Sequence, residues 1–381
     1  MILQNAKVYT EEKTFRDGTI YVQGGTFSAA PADGPVLDAG GCYAIPGLID
    51  LHLHGCMGYD FCDGTSEAIG QIAAYELSAG VTAFAPATMT LPCGELERIL
   101  SVAAEYVRQP SEGADLVGVN MEGPFISRVK KGAQDARHIV PCSVEAARRF
   151  VDAGQGLVKF LAVAPEENPD FAEFIARMKG RTTVSLAHTN ADYDTAMAAF
   201  AAGAGHAVHL YNAMPPFTHR APGVIGAVMD SPHVDAELIC DGVHIHPSAV
   251  RAAFRMLGAD RIVFISDSMR ATGMPDGRYT LGGLDVDVTG NRAVLASDGA
   301  LAGSATNLLD CMRTAVREMG VPLADAVACA TINPARSLGI DDRYGSIRPG
   351  KKADFLLLDT ELNLKAVVKD GKVRTTGAFG A

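Results

Sequence analysis

Both ends of the chain alternate apolar and polar side chains in short runs. ILQNAKVYT occupies 2–10, and GTIYVQ (18–23) and GTFSAA (25–30) follow across glycine-rich turns. A period of two marks half-buried strands. The far end repeats the pattern in Asp354–Leu358 and Leu364–Val368, and Asp370-Gly371-Lys372 is a hairpin-turn signal. Segments 1–45 and 346–381 are therefore expected to pair as one small β-domain. Between them the rhythm changes: short apolar runs alternate with amphipathic stretches of helical period. The runs predict strands at Gly47–Leu53, Val81–Pro86, Leu116–Met121, Val158–Ala164, Thr183–Ala187, His206–His209, Ala236–Cys240 and Ile262–Ser266. Helices are expected at Ser66–Ala79, Gly94–Arg108, Ser143–Ala153, Phe171–Lys179, Asp192–Ala202 and Pro247–Leu257. Eight strands separated by helices predict an α/β fold, a (β/α)8 barrel over 46–345. The link after the sixth strand is irregular. An insertion, Tyr279–Leu301, reads as β-hairpins before a helix at Ala305–Met319.

Composition narrows the function classes. The chain has 381 residues, 48% of them hydrophobic and 20% charged, enough to bury a sizeable core. Its net charge of −11 disfavours nucleic acid as a partner, so an anionic ligand needs a local cluster of cations. No apolar run approaches the ~20 residues that span a bilayer, so no membrane partner is expected. The N-terminus, MILQNAKVYTEEKTF, shows no secretory pattern, and a cytoplasmic location is the expectation. Eight scattered cysteines, with no CxxC pair, read as reduced thiols.

The candidate chemistry gathers at the ends of the expected strands. His52 and His54 sit two residues apart at the end of the first strand, so alternation puts both imidazoles on one side. Two neutral imidazoles there make a ligand pair for zinc or iron, or simply two half-buried histidines. Glu122 follows the third strand, where it is either a functional carboxylate or a turn cap. His188 ends the fifth strand, His209 the sixth and Asp267 the eighth. Alone, each has a structural alternative; Asp267 could be a helix N-cap. Together they converge on one mouth of the barrel. Asp267 could there exchange a proton with a metal-activated water and a leaving nitrogen. His206 lies deeper in its strand and reads as structural. His138, His219, His233 and His246 carry no strong claim.

With these residues placed, the chain resembles the N-acetylglucosamine-6-phosphate deacetylases of the amidohydrolase superfamily over nearly its whole length. The matching segments are PGLIDLHLHG (46–55), MEGPF (121–125), KKGAQ (130–134), AHT (187–189), HLYNAMP (209–215), HRAPG (219–223), DGVH (241–244), Ser266-Asp267 and LAGS (301–304). HLYNAM with its downstream Arg-x-Pro-Gly is the specific part; PGLIDLHLHG is shared by many amidohydrolases. The resemblance implies a distorted barrel with a small β-sandwich built from both chain ends. It implies a divalent metal on Glu122, His188 and His209, with zinc the first choice and iron, manganese or cobalt the others. Because His52 and His54 are kept, one or two ions are open. Asp267 maps to the catalytic acid/base. Ala133, Gln134, Asn212, Ala213 and His244 map to substrate contacts, and Leu301, Ala302 and Gly303 to the acetyl side. Arg220 maps to a phosphate contact that reaches a neighbour's site in a homodimer. Gln134 stands where some relatives have histidine, which is expected to weaken phosphate affinity. The implied reaction removes acetate from N-acetylglucosamine-6-phosphate. The galacto epimer, another amide, or a non-catalytic scaffold are the alternatives.

Overall fold

A computed structural model describes residues 1–376 apart from Ala32; the last residues of the expected small domain, 377–381, lie outside the described residues. The two chain ends meet in one eight-stranded mixed sheet. Phe355–Leu358 runs antiparallel to Tyr43–Pro46, and Ile2–Tyr9 joins Tyr43–Pro46 in parallel. The sheet curls until Phe27 lies 6.0 Å from Phe355, ring to ring, and it encloses its own apolar core of Leu3, Ile20, Val22, Phe27, Phe355, Leu357 and Val368. The turn signal near the C-terminus forms as expected. Asp370 and Gly371 both take positive φ (50° and 72°), as a two-residue turn matching the strand twist requires. Tyr9 Oη donates to the carbonyl of Ala324 at 2.7 Å, which ties this sheet to the barrel's helical layer.

The barrel strands are β1 (Leu48–Asp50), β2 (Val81–Phe84), β3 (Val119–Phe125), β4 (Val158–Val163), β5 (Thr183–Leu186), β6 (His206–Ala207), β7 (Asp235–Ile239) and β8 (Ile262–Ile265). They are short and nearly all buried, as parallel strands covered on both faces must be. From β3 to β8 they pair in parallel and in order. The distortion lies on the other side. The expected second strand breaks after Phe84 and resumes at Ala87–Thr88, which pairs with β3. The expected third strand breaks after Leu116 and resumes at Val119. Two ladders result, of three and seven strands. A few backbone hydrogen bonds bridge the gaps: Ala87 N–H to Leu53 O (2.7 Å) and Asn120 N–H to Pro86 O (2.9 Å) on one side, and, between the ends of β8 and β1, Asp267 N–H to His52 O (2.9 Å) and His54 N–H to Ser268 O (2.7 Å).

The six helices expected between the barrel strands form within two residues of their expected ends, from Ser66–Ser78 to Pro247–Leu257, whereas the helix expected at Ala305–Met319 is shorter, Leu308–Arg317. Thr65, Ser143 and Asp192 cap three of them, each side chain accepting a backbone N–H of the first turn. The insertion begins earlier than expected and is a three-stranded antiparallel sheet (Gly277–Leu281, Leu284–Thr289, Arg292–Leu295). Its apolar face packs Leu281, Val286, Val288 and Leu295 against Met89 and Met269 beside the barrel mouth. No helix among the described residues is long and apolar enough to cross a membrane.

Candidate metal centre

Glu122 is the hub of the mouth. It sits inside β3, not after it, because the strand continues to Phe125. One carboxylate oxygen, Oε1, lies 2.8 Å from both His188 Nε2 and His209 Nε2, and those two nitrogens are 3.2 Å apart. Donor atoms so spaced surround a common point about 2 Å from each, the range of first-row metal bonds. The other oxygen, Oε2, lies 3.2 Å from His54 Nε2 and 3.7 Å from His52 Nε2. Two donor groups therefore meet in one bridging carboxylate: His52, His54 and Glu122, and Glu122, His188 and His209. Asp267 Oδ1 stands at the edge, 3.2 Å from His54 Nε2 and 3.8 Å from His52 Nε2.

The backbone that aims these groups is unusual. His188, His209, Ala213 and Asp267 all take positive φ (43°, 30°, 51° and 51°). Left-handed backbone at non-glycine residues costs about 1–3 kcal/mol each, and it persists where the surroundings over-determine it. Here it turns each chain sharply at the strand end, so the side chain points into the mouth. Gly303 allows one close approach: a Cβ there would lie 3.0 Å from the Asp267 carbonyl oxygen.

A second layer fixes the imidazoles. His52 Nδ1 meets Glu237 Oε2 at 2.8 Å, and His188 Nδ1 meets the Lys130 carbonyl at 2.9 Å. Both rings thus carry their proton on Nδ1 and turn Nε2 to the centre. Glu237, on β7, also accepts from His206 Nε2 (2.9 Å), Asn120 Nδ2 (3.1 Å) and the His209 N–H (3.0 Å). The structural role read for His206 is this contact. Gln134 belongs to the same layer: its Nε2 donates to Glu122 Oε2 at 2.9 Å while its Oε1 accepts the Thr90 N–H at 2.6 Å. Its amide engages the metal-ligand candidate Glu122 while the residue lines the cleft. Sequence reading missed Glu237, Asn120 and Asp241. For Glu237 and Asn120 the available signal was a polar residue inside a buried strand, as in Ala-Glu-Leu-Ile; Asp241 lies beyond β7, in the DGVH segment.

Electrostatics fit a cation. Burial works against ionising Glu122, yet facing His188 and His52 hold its carboxyl well below the usual range. Burial likewise opposes charge on His52, but Glu237 and Glu122 outweigh it and push the ring well above its ordinary value. His54, also desolvated, is pushed up to about 10 by the facing carboxylates of Asp267 and Glu122, each 3.2 Å from its Nε2. Three buried carboxylates thus call for positive charge. His52 Nε2 and Asp267 Oδ1 are buried without hydrogen-bond partners, both at this centre. These side chains fit a divalent metal, which would take the place of the protons.

A cleft of about 360 Å³ opens over the centre, lined by His54, Glu122, His188, His209 and Asp267 below and by Lys130, Ala133, Gln134, Asn212, Ala213, His244, Leu301 and Gly303 around them. His244 is oriented by Asp241, whose Oδ2 lies 2.7 Å from its Nδ1. Two expected positions fall elsewhere. Ala302 is buried in the apolar layer under the insertion, because neighbouring residues of an extended segment face opposite ways. Arg220 lies on the exposed 216–221 loop and lines a different pocket, with Tyr193 and Pro222, so it does not reach the cleft of its own chain.

A barrel whose strand ends gather four imidazoles, a bridging carboxylate and a free aspartate defines a metal-dependent hydrolase. Residues 43–376 match the Amidohydrolase family, and the chain belongs to it. It is 34% identical to N-acetylglucosamine-6-phosphate deacetylase of Bacillus subtilis (strain 168), covering 98% of this chain and 96% of the relative. It is 32% identical to N-acetylgalactosamine-6-phosphate deacetylase of Escherichia coli O157:H7, covering 98% of each. Among solved structures, a mutant N-acetyl-D-glucosamine-6-phosphate deacetylase from Mycobacterium smegmatis, in complex with N-acetyl-D-glucosamine-6-phosphate, superposes with a TM-score of 0.91 at 33% identity over 98% of each chain.

Proposed function

We propose that this chain hydrolyses the acetamide of N-acetyl-D-glucosamine-6-phosphate to glucosamine-6-phosphate and acetate, in amino-sugar catabolism. The observation that carries the reading is the bridging Glu122 between two imidazole pairs, with Asp267 held beside them under a sugar-sized cleft. Full-length similarity to sugar-phosphate deacetylases supports the substrate class. Glu122, His188 and His209 would hold a divalent ion, zinc first and iron, manganese or cobalt next, and His52 and His54 with Glu122 offer the place for a second. A bound ion there supplies the positive charge that acidifies water and polarises the acetamide carbonyl.

The protein's own residues do the rest. Asp267 takes a proton from the attacking water as its oxygen joins the acetamide carbon. It returns that proton to the sugar nitrogen as the C–N bond breaks. His244, its Nδ1 proton held by Asp241, presents Nε2 to the substrate. Asn212 and Ala213 meet the sugar phosphate, Ala133 and Gln134 border it, and the loop at Leu301 and Gly303 backs the acetyl group. Arg220, on the exposed 216–221 loop outside its own cleft, reaches the neighbouring subunit's cleft in a homodimer.

The galacto epimer is the second reading, favoured by the similarity to the Escherichia coli relative. Acetate release from the two epimers, measured side by side as kcat/KM, decides between them. At least tenfold preference for the gluco sugar is expected, and the reverse preference would move the substrate.

A further inference from the structure

An anionic substrate in a chain of net charge −11 needs a cation at the cleft, and Arg220 does not line the cleft of its own chain. Among the described residues, Lys130 is the one lysine or arginine that does line it. It stands on the loop after β3. Its carbonyl engages His188 Nδ1 at 2.9 Å, so its backbone is tied to the metal centre. Its ammonium donates to the carbonyl of Met214 at 3.2 Å, so its side chain lies against the turn that carries Asn212 and Ala213. That partner is neutral, and among the described residues Lys130 forms no ion pair. A half-buried ammonium without a counter-ion, beside backbone that faces the cleft, is a receptor for an anion.

We propose that Lys130 supplies, from the same chain as the metal centre, the charge that selects a phosphate monoester over the unphosphorylated sugar. This rests on the deacetylase reading above and adds a specificity-determining residue to it. Lys130 also explains how one subunit could discriminate phosphate before any neighbour contributes Arg220.

The test compares wild type, Lys130→Gln and Lys130→Arg on N-acetylglucosamine-6-phosphate and on N-acetylglucosamine. Glutamine can still donate to Met214 but carries no charge. The loss of one charge-assisted hydrogen bond predicts a KM for the phosphorylated sugar raised by about tenfold or more, with a much smaller change in kcat. The unphosphorylated sugar should suffer far less, and Lys130→Arg should restore most of the affinity. In parallel, inorganic phosphate should raise the thermal midpoint of wild type and fail to raise that of Lys130→Gln. An unchanged KM in Lys130→Gln, or equal losses on both sugars as a merely structural loop contact would give, overturns the proposal. If neither sugar turns over in wild type while phosphate still stabilises it through Lys130, the deacetylase reading falls and the anion site stands.

Discussion

Asp267 carries its function in its placement. It is buried and bent into left-handed backbone, and Oδ1 is aimed at His54 without a hydrogen-bond partner. Burial raises the cost of ionising it, and His54 and His52 more than offset that, so it is held as an anion able to accept a proton. Asp267→Asn keeps the shape and removes the base. Acetate release should fall by about 10²–10⁴-fold, the usual worth of general acid–base catalysis, while metal content measured on the same sample stays at the wild-type ratio. Turnover near wild type would remove Asp267 from the mechanism. Glu237 acts one layer back, through His52 and His209. Glu237→Gln places an amide N–H against donors that now meet a carboxylate. Metal affinity should drop by about 10–100-fold, as a competing chelator titration would show. An affinity equal to wild type would make Glu237 a bystander. The six central side chains were legible in the sequence because each ends a strand-like run. Glu237 was not, since a single charge inside such a run carries no mark of which neighbours it will meet.

At the scale of elements, the periodic pattern gave strand and helix positions well and strand continuity poorly. The second and third strands read as unbroken apolar runs, yet Pro86 and Gly118 stand at or beside their breaks, and the pairing passes between two ladders there. Glu122 consequently falls inside a strand that the sequence seemed to end at Met121. The left-handed turns at His188, His209 and Asp267 were invisible, because ordinary residues take that backbone only under tertiary constraint. The hairpin at Asp370-Gly371 was visible because its residues prefer positive φ. That hairpin is anchored by Asp354, whose Oδ1 accepts the Asp370 N–H at 2.7 Å. Burial pushes the Asp354 carboxyl up to about 6 from an ordinary 3.8, against the pull of Lys352. The folded form therefore holds the proton more tightly than the unfolded chain. Its stabilising contribution is full below about pH 4 and is lost as pH rises through about 6. A shift of this size corresponds to about 2–3 kcal/mol. Asp354→Asn should unfold at a higher temperature than wild type at pH 8, and the gap should close toward pH 4.5. A gap that is constant with pH would contradict the assignment.

The whole molecule couples a rigid frame to a centre that calls for metal. The small sheet is locked to the helical layer by Tyr9, and the insertion packs its apolar face beside the mouth, so cleft and barrel form one packed unit. Sequence alone conveyed this architecture through its switch of period, and conveyed the reaction class through motifs that the fold draws together. It could not show that Arg220 stands outside its own cleft, since a loop's reach depends on where the exposed 216–221 segment turns. Charge at the centre makes metal a structural partner as well. Stripping it should lower the thermal midpoint, because an ion that binds only the folded state stabilises it by mass action; an unchanged midpoint would mean that the imidazoles and carboxylates satisfy one another. The most direct test of the central claim is acetate release from N-acetylglucosamine-6-phosphate by the purified protein, before chelation, after chelation, and after zinc is returned. The account predicts turnover that chelation abolishes and zinc restores. Turnover untouched by complete metal removal, or no acetate from the fully metallated protein, would contradict it.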